Sequence, residues 1–406
     1  MLLDIGPLRH NTAFRRLFAS QFISGLGTMV SYVAVPWQLY ELTRSNAQVG
    51  LLGLVQLAPV VVCALLGGAV ADRVDRKRLL MGSEALMALC LAGLFANALS
   101  ATPSVLAIDL LVAVLQGASG FHRPALEALT QKLARRDEFA AVAALSSVRG
   151  TIGMVAGPAL AGLLLARWGA VGAYLFDFAT FSAALFFLAR IPRERIGEVN
   201  DPGERPHLLA DLAEGLRFAR ARPELMGTYI VDIVAMAFAF PIALFPAMAA
   251  ADGRTESVGW LLSAMAVGAL AIGLFSGWTG EVRRHGRAVV IAAAVWALGF
   301  APSLMVALAC LAVAGAADMV SGVFRGTIWN ETIPNTLRGR LAGIEMISYL
   351  TGPLIGNARA GFMADACGVS ASIWIGGLVC LVGVIATGFA LPRFWAYRSE
   401  LSDAAR

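Results

Sequence analysis

The sequence predicts an all-α polytopic membrane protein, with twelve transmembrane helices arranged as two pseudo-symmetric six-helix bundles. Three observations carry that expectation. The 406-residue chain is 58% hydrophobic and only 15% charged, with a mean hydropathy of +0.72. Apolar runs near the ~20 residues that cross a bilayer core recur along its length. In lipid such runs must be helices, because their backbone groups can be satisfied only within the segment. Finally, the two halves match when the chain is slid against itself by 209 positions: Val49-Gly50 falls on Val258-Gly259, Gly68 on Gly277, Asp72 on Glu281 and Arg78 on Arg287.

Charges, prolines and glycine-rich breaks place the spans at 14–41, 47–71, 79–100, 104–129, 140–166 and 170–190, then 225–250, 257–280, 288–308, 309–332, 342–363 and 370–391. Residues 1–190 form the first bundle and 225–406 the second. Between them, 191–224 is the long polar segment. Its end, HLLADLAEGLRFARARP, puts Leu208, Leu209, Leu212 and Leu216 on one helical face with arginines opposite. That pattern suits a helix lying on the inner leaflet, and a plain connector is the alternative. The first apolar run is too long for a cleavable signal and lacks a small-residue cleavage site.

Basic residues fix the orientation. With the N-terminus in the cytoplasm, 25 of the 32 Lys and Arg fall on the inner side and only Arg44, Arg167 and Arg254 on the outer. Both termini are therefore expected in the cytoplasm. The net charge of +5 is scattered between spans and forms no stripe that would suit nucleic acid. Five cysteines show no metal spacing, and no P-loop, HExxH or GxGxxG is present, so neither a metal nor a cofactor is expected.

The chain then concentrates charge at one place. In GGAVADRVDRKR, six of the seven positions from Asp72 to Arg78 are charged. SGWTGEVRRHGR repeats the pattern in the second half more weakly, with Glu281 in the acidic place. Asp72 would sit at the C-terminal end of a helix, where the dipole is already negative, so it calls for a positive partner. The fifth span carries GMVAGPALAG, in which Gly153, Gly157 and Gly162 would let a neighbouring helix approach and Pro158 permits a bend. GPLIG (352–356) echoes it in the eleventh span.

These stretches resemble the major facilitator superfamily. Gly68, Ala71, Asp72, Arg73, Arg76 and Lys77 match its loop signature between the second and third helices, with Val70 replacing a leucine and Asp75 a glycine. Residues 153–162 are similar to the antiporter motif of exporters. HNTAFRRLFASQFIS and LAEGLRFARARPEL resemble the siderophore-exporter and macrolide-efflux branch. The resemblance implies a monomeric transporter of a bacterial inner membrane with two halves rocking about a central cavity. It assigns an inner-gate role to Gly68, Asp72, Arg73, Arg76, Lys77, Glu281 and Arg287, and a leak-preventing role to the fifth-helix motif. It also implies that the first, fourth, seventh and tenth helices line the cavity.

Ionisable groups at membrane depth usually mark a pathway or a pair. The fourth span stacks Asp109, Gln116 and Arg123 at intervals of seven, with Glu127 a turn below. The tenth repeats the spacing with Asp318 and Arg325. Asp232, Asp318, Asp109 and Glu127 are the candidate proton carriers, in that order. Static Asp318–Arg325 and Glu127–Arg123 pairs are the alternative. Gln21, Tyr32, Gln38, Gln116, Arg123, Tyr229, Arg325 and Trp329 are the candidate cavity residues, with Phe324 a further aromatic wall. Asp177 and Arg149 read as structural, and His122 as a packed neutral histidine facing away from the stripe.

The arginines would suit an anionic or catecholate ligand and the acids a lipophilic cation, so charge does not choose between them. The expected function is a proton-coupled exporter of a siderophore-like or drug-like amphiphile, whose partners are that small molecule, protons and the lipid bilayer, without nucleic acid. An uptake symporter of the same fold and a non-transporting receptor or scaffold remain the alternatives; no enzymatic chemistry is indicated.

Overall fold

A computed structural model describes residues 4–71, 74–192, 208–240, 242–274, 282, 284–296, 303–334 and 337–398. Among them every regular element is a helix. A short α1 (Gly6–His10) precedes α2 (Thr12–Thr43), α3 (Asn46–Ala71), α4 (Arg76–Leu99) and α5 (Val105–Leu133). Next comes α6 (Phe139–Ala189), which covers the fifth and sixth predicted spans and turns at Gly169. That residue adopts φ 61°, a left-handed value natural only to glycine. Local chemistry sets several helix starts. Asn11, Asp75 and Ser104 each accept a hydrogen bond from a backbone N–H three residues on, capping α2, α4 and α5.

The second half continues with α7 (Leu208–Arg220), α8 (Pro223–Phe238), α9 (Phe245–Asp252), α10 (Ser257–Leu274), α11 (His285–Trp296) and α12 (Leu304–Thr332). It ends with α13 (Arg338–Cys367), α14 (Val369–Ala390) and α15 (Pro392–Trp395). Nine helical segments among the described residues, with α8 and α9 taken together as one, are long and apolar enough to cross a membrane. The chain is an all-α multi-pass membrane protein.

Two expectations need correction. The seventh span, 225–250, is not continuous: α8 ends at Phe238, Ile242–Leu244 form a 3₁₀ turn, and α9 follows. Pro246 takes the second position of α9, where a missing N–H costs nothing. The break frees carbonyls, and α13 supplies their donor: Arg359 donates from Nε to Ala237 O and from Nη2 to Phe238 O, both at 3.0 Å. Asn357 Oδ1 in turn accepts from the Ala243 N–H at 3.1 Å. The boundary of the tenth span also moves, because α12 begins at Leu304 rather than 309. Ser303 caps that start by accepting from the Val306 N–H. In the linker, α7 is helical as expected; of its predicted apolar face only Leu216 is described, and it is exposed, whereas Ala219 is buried.

The helices gather into two compact units. The first comprises Met1–Arg44, Val55–Arg205 and Gly253–Ser263; the second comprises Ser45–Leu54, Pro206–Asp252 and Ala264–Arg406. Within the first, α6 is sandwiched by close backbone packing. A Cβ on Gly157 would strike Met29 of α2, and one on Gly162 would lie 2.8 Å from Glu256 O at the start of α10. Ser263 Oγ donates to Val155 O at 2.9 Å. A Cβ on Gly153 would meet no described atom within 4 Å, so the close approach expected there is found only at the other two glycines. The second unit repeats the device on α13. A Cβ on Gly352 would lie 2.8 Å from Met236 Cβ of α8, and one on Gly50 would lie 2.8 Å from Asn357 O.

Candidate functional site

In the second unit, α8 and α12 bring three ionisable side chains together. Arg325 donates from Nη1 to Asp232 Oδ1, and its Nη2 lies 3.8 Å from Asp318 Oδ1. The environments differ. The Arg325 and Asp232 side chains are 10% and 8% exposed, whereas Asp318 is 39% exposed. Asp318 and Arg325 share a helix face because seven residues make two turns. Asp232 reaches the same guanidinium from another helix. One arginine with two carboxylates leaves a negative charge uncompensated when both acids are ionised, so the cluster can change its proton count without losing its core pair.

Beside it, Tyr229 and Trp329 stack with ring centroids 5.8 Å apart. Trp329 Nε1 donates to Thr228 Oγ1 at 2.8 Å, which fixes the indole plane. Predicted residues from the seventh and tenth spans therefore form one cluster. Phe324 does not join it: the ring is buried in the core, 4.9 Å from the His285 ring, and lines no open wall.

The first unit is different. Arg123 and Glu127 pair at 3.5 Å along α5, but both side chains are more than half exposed. Asp109 and Gln116 are half-buried on the same helix. On α2, Tyr32 is exposed, while Gln38 is buried and accepts from the Tyr174 hydroxyl at 2.7 Å. Asp177 is buried and accepts from Ser31 Oγ and Thr180 Oγ1, as befits its structural reading.

Gln21 reveals what sequence reasoning missed. Its Nε2 donates to Glu84 Oε1 at 2.5 Å, and Glu84 on α4 is 0% exposed. His122 Nε2 lies 3.2 Å from the same oxygen. His122 is thus not merely packed; it has a carboxylate partner. The available signal was a lone acid in the apolar run LLMGSEALMALC, inside a predicted span.

Of the charged loop, Asp72, Arg73 and Glu281 lie outside the described residues, as does the side-chain environment of Gly68. Lys77 is buried and donates to the carbonyls of Ala189 and Ile191, at 3.1 and 2.6 Å, at the C-terminal end of α6. Arg76 is half-buried. Arg287 stands over the Trp395 ring at 5.3 Å. Among the described residues no cluster of His, Cys, Asp and Glu could hold a metal ion.

Comparison with known proteins places these features in context. Residues 4–404 match the family model described as transmembrane secretion effector. The enterobactin exporter EntS of Shigella boydii serotype 18 is 31% identical over 399 residues, covering 94% of each chain. The protein of the same description from Escherichia coli O139:H28 is 30% identical over the same shares. Among solved structures, the nucleoside transporter NupG superimposes with a TM-score of 0.72 at 13% identity, over 95% of this chain and 99% of that one. A POT family transporter in complex with 5-aminolevulinic acid gives 0.74 at 11%, over 97% and 98%. A bacterial homologue of the iron transporter ferroportin in its inward-facing state gives 0.69 at 14%, over 95% and 98%. At such identities the structures speak for the fold; the curated relatives are exporters.

Proposed function

Because this chain belongs to the transmembrane secretion effector family of the major facilitator superfamily, we propose that it is a proton-coupled exporter. It moves a siderophore-like or drug-like amphiphile out of the cytoplasm by alternating access. One observation carries the reading: the likeness to enterobactin exporters runs the length of both chains. A catecholate of the enterobactin type is therefore the first cargo to test, with lipophilic drugs second.

The second-unit cluster supports the coupling. Arg325 is the cation that an anionic catecholate would seek through charge-assisted hydrogen bonds, and Tyr229 with Trp329 offers aromatic area beside it. Cargo bridges the pair: an acidic oxygen of the catecholate accepts from the Arg325 guanidinium while a cargo hydroxyl donates to the ionised Asp318 carboxylate. Protonation of Asp318 removes that acceptor and releases cargo, and loss of the proton restores it, so proton and cargo exclude one another as exchange requires. Asp232 stays with Arg325 throughout and keeps the buried cation neutralised. Alternating access is the rocking of two repeats expected of such a fold; the glycine-lined surfaces of α6 and α13 let neighbouring helix backbones approach closely within each unit. The cytoplasmic placement of both termini rests on the distribution of the 32 basic residues.

The test is a proteoliposome assay of the full-length protein, with a catecholate siderophore and a panel of lipophilic drugs, with and without an imposed proton gradient. Cargo movement opposite to the proton gradient, lost in Asp318→Asn, supports the reading. Cargo moving with the protons would make the protein a symporter, and movement of no cargo under any gradient would sink transport itself.

A further inference from the structure

We propose that Glu84 and His122 form a proton-binding site in the first unit, which extends the proton-exchange reading to a pair of helices that reading does not use. Glu84 is wholly buried on α4, and its Oε1 receives Gln21 Nε2 at 2.5 Å and faces His122 Nε2 at 3.2 Å. Oε2 is equally buried and has no hydrogen-bond partner among the described residues. A carboxylate serving only as a structural anchor normally has both oxygens satisfied. Here Oε2 goes without a donor among the described residues, so the group is not held as a fully bonded carboxylate and its protonated form stays available.

The charge balance follows from the surroundings. A net charge deep in a bundle costs several kcal/mol. The two arrangements without net charge are ionised Glu84 with imidazolium, and carboxylic acid with neutral imidazole. Both contain the same single proton, and passing it between Nε2 and Oε1 breaks one bond to hydrogen and makes the other. The state that has lost this proton, carboxylate beside neutral imidazole, becomes accessible only when water reaches the pair. His122 is the member with access, its side chain being 17% exposed against 0% for Glu84, so the proton enters and leaves through the imidazole.

Other ionisable groups on the packed helices do not compensate the pair. On α2 these are Arg15, Arg16, Tyr32, Tyr40 and Glu41; on α5, Asp109, Arg123, Glu127 and Lys132; on α6, Arg149, Arg167, Tyr174 and Asp177. On α4 itself, Arg76, Lys77 and Arg78 cluster at the start, with Lys77 bonded to backbone carbonyls. Among the described residues only His122 comes within ion-pair distance of Glu84.

The experiment is infrared spectroscopy of the full-length protein in lipid vesicles while the pH is stepped, on the wild type, Glu84→Gln and His122→Gln. A carboxylic-acid C=O band that titrates in the wild type, disappears in Glu84→Gln and titrates at a shifted midpoint in His122→Gln is expected. The same bands in all three proteins would overturn the site. Should Glu84→Gln not reach the membrane folded, the midpoint in His122→Gln decides alone: shifted supports, unshifted overturns. This readout needs no cargo, so absence of proton-driven export by the wild type would defeat the export reading while leaving the site to be judged on its band.

Discussion

Arg325 of α12 bonds to Asp232 of α8 and at the same time stands 3.8 Å from Asp318, so one guanidinium holds a buried acid and a wetter one. The asymmetry predicts different consequences for the two acids. Asp232→Asn leaves a cation that is 10% exposed without its inner partner, which costs about 3–5 kcal/mol where a buried pair is broken from one side. Removing both charges, in Asp232→Asn with Arg325→Gln, should recover much of that loss. Thermal unfolding in detergent of the two single variants and the double variant measures the coupling. Additivity within about 0.5 kcal/mol would mean the two do not interact.

Asp318→Asn is the complementary case. At 3.8 Å and 39% exposed, its contact with Arg325 contributes less than about 1 kcal/mol. The variant is expected to fold and melt like the wild type while losing proton-driven cargo movement in vesicles. A large fall in melting temperature would show that Asp318 is a structural partner instead.

What the sequence made legible follows physical lines. Helices in lipid announce themselves by hydropathy, and Asp318 with Arg325 could be paired on paper because their spacing keeps them on one face of one helix. Asp232 was recognisable as a buried ion but not as the partner of Arg325, because that bond closes over 93 residues of chain. Glu84 was overlooked in its apolar run, and its meeting with Gln21 and His122 requires three helices to be placed. The break in the seventh span was masked by the apolar character of FPIALFP, although two prolines five residues apart signalled it. Motif resemblance likewise treated Gly153, Gly157 and Gly162 alike, when only packing can separate them.

That separation is testable. Gly153→Ala meets no described neighbour and replaces glycine inside a helix, so it should be neutral or stabilising by up to about 1 kcal/mol. Gly157→Ala drives a methyl group into Met29, and overpacking of this kind costs about 1–3 kcal/mol. Melting temperatures of the two variants should move in opposite directions. Equal destabilisation would place a neighbour against Gly153 as well.

Asp365 lies two residues beyond the predicted eleventh span and caps α3. It accepts from Ser45 Oγ at 2.6 Å, from the N–H groups of Asn46 and Ala47 at 2.8 and 3.1 Å, and from Asn46 Nδ2 at 3.1 Å. Burial acts to raise its pKa, but the bonds from Ser45, Ala47 and Asn46 together bring it below the ordinary aspartate value. A carboxyl depressed in the folded state stabilises above its unfolded pKa, and that contribution fades as pH falls through the folded one. Asp365→Ala should therefore cost about 1 kcal/mol at neutral pH, typical of a lost helix cap. The gap from wild type should close in acid below the ordinary aspartate range. A difference that stays constant down through that range would assign the effect to packing rather than to the carboxylate.

Arg359, inside the predicted eleventh span, does what lipid cannot. Where α8 stops at Phe238, the carbonyls of Ala237 and Phe238 have lost their helical donors, and Arg359 supplies both at 3.0 Å. Its Nη1 also reaches Ser372 O at 3.4 Å, which ties α13 to α14. Arg359→Met keeps the length and removes every donor, so two partly buried carbonyls are left, at a cost of up to about 1–3 kcal/mol each. Arg359→Lys retains a charge but not the fork that reaches both oxygens, and should recover only part of the loss. Hydrogen exchange read by mass spectrometry locates the damage: faster exchange confined to peptides spanning 235–247, graded from Lys to Met, is expected. Protection unchanged in that window would show that the break between α8 and α9 is held by something other than this guanidinium.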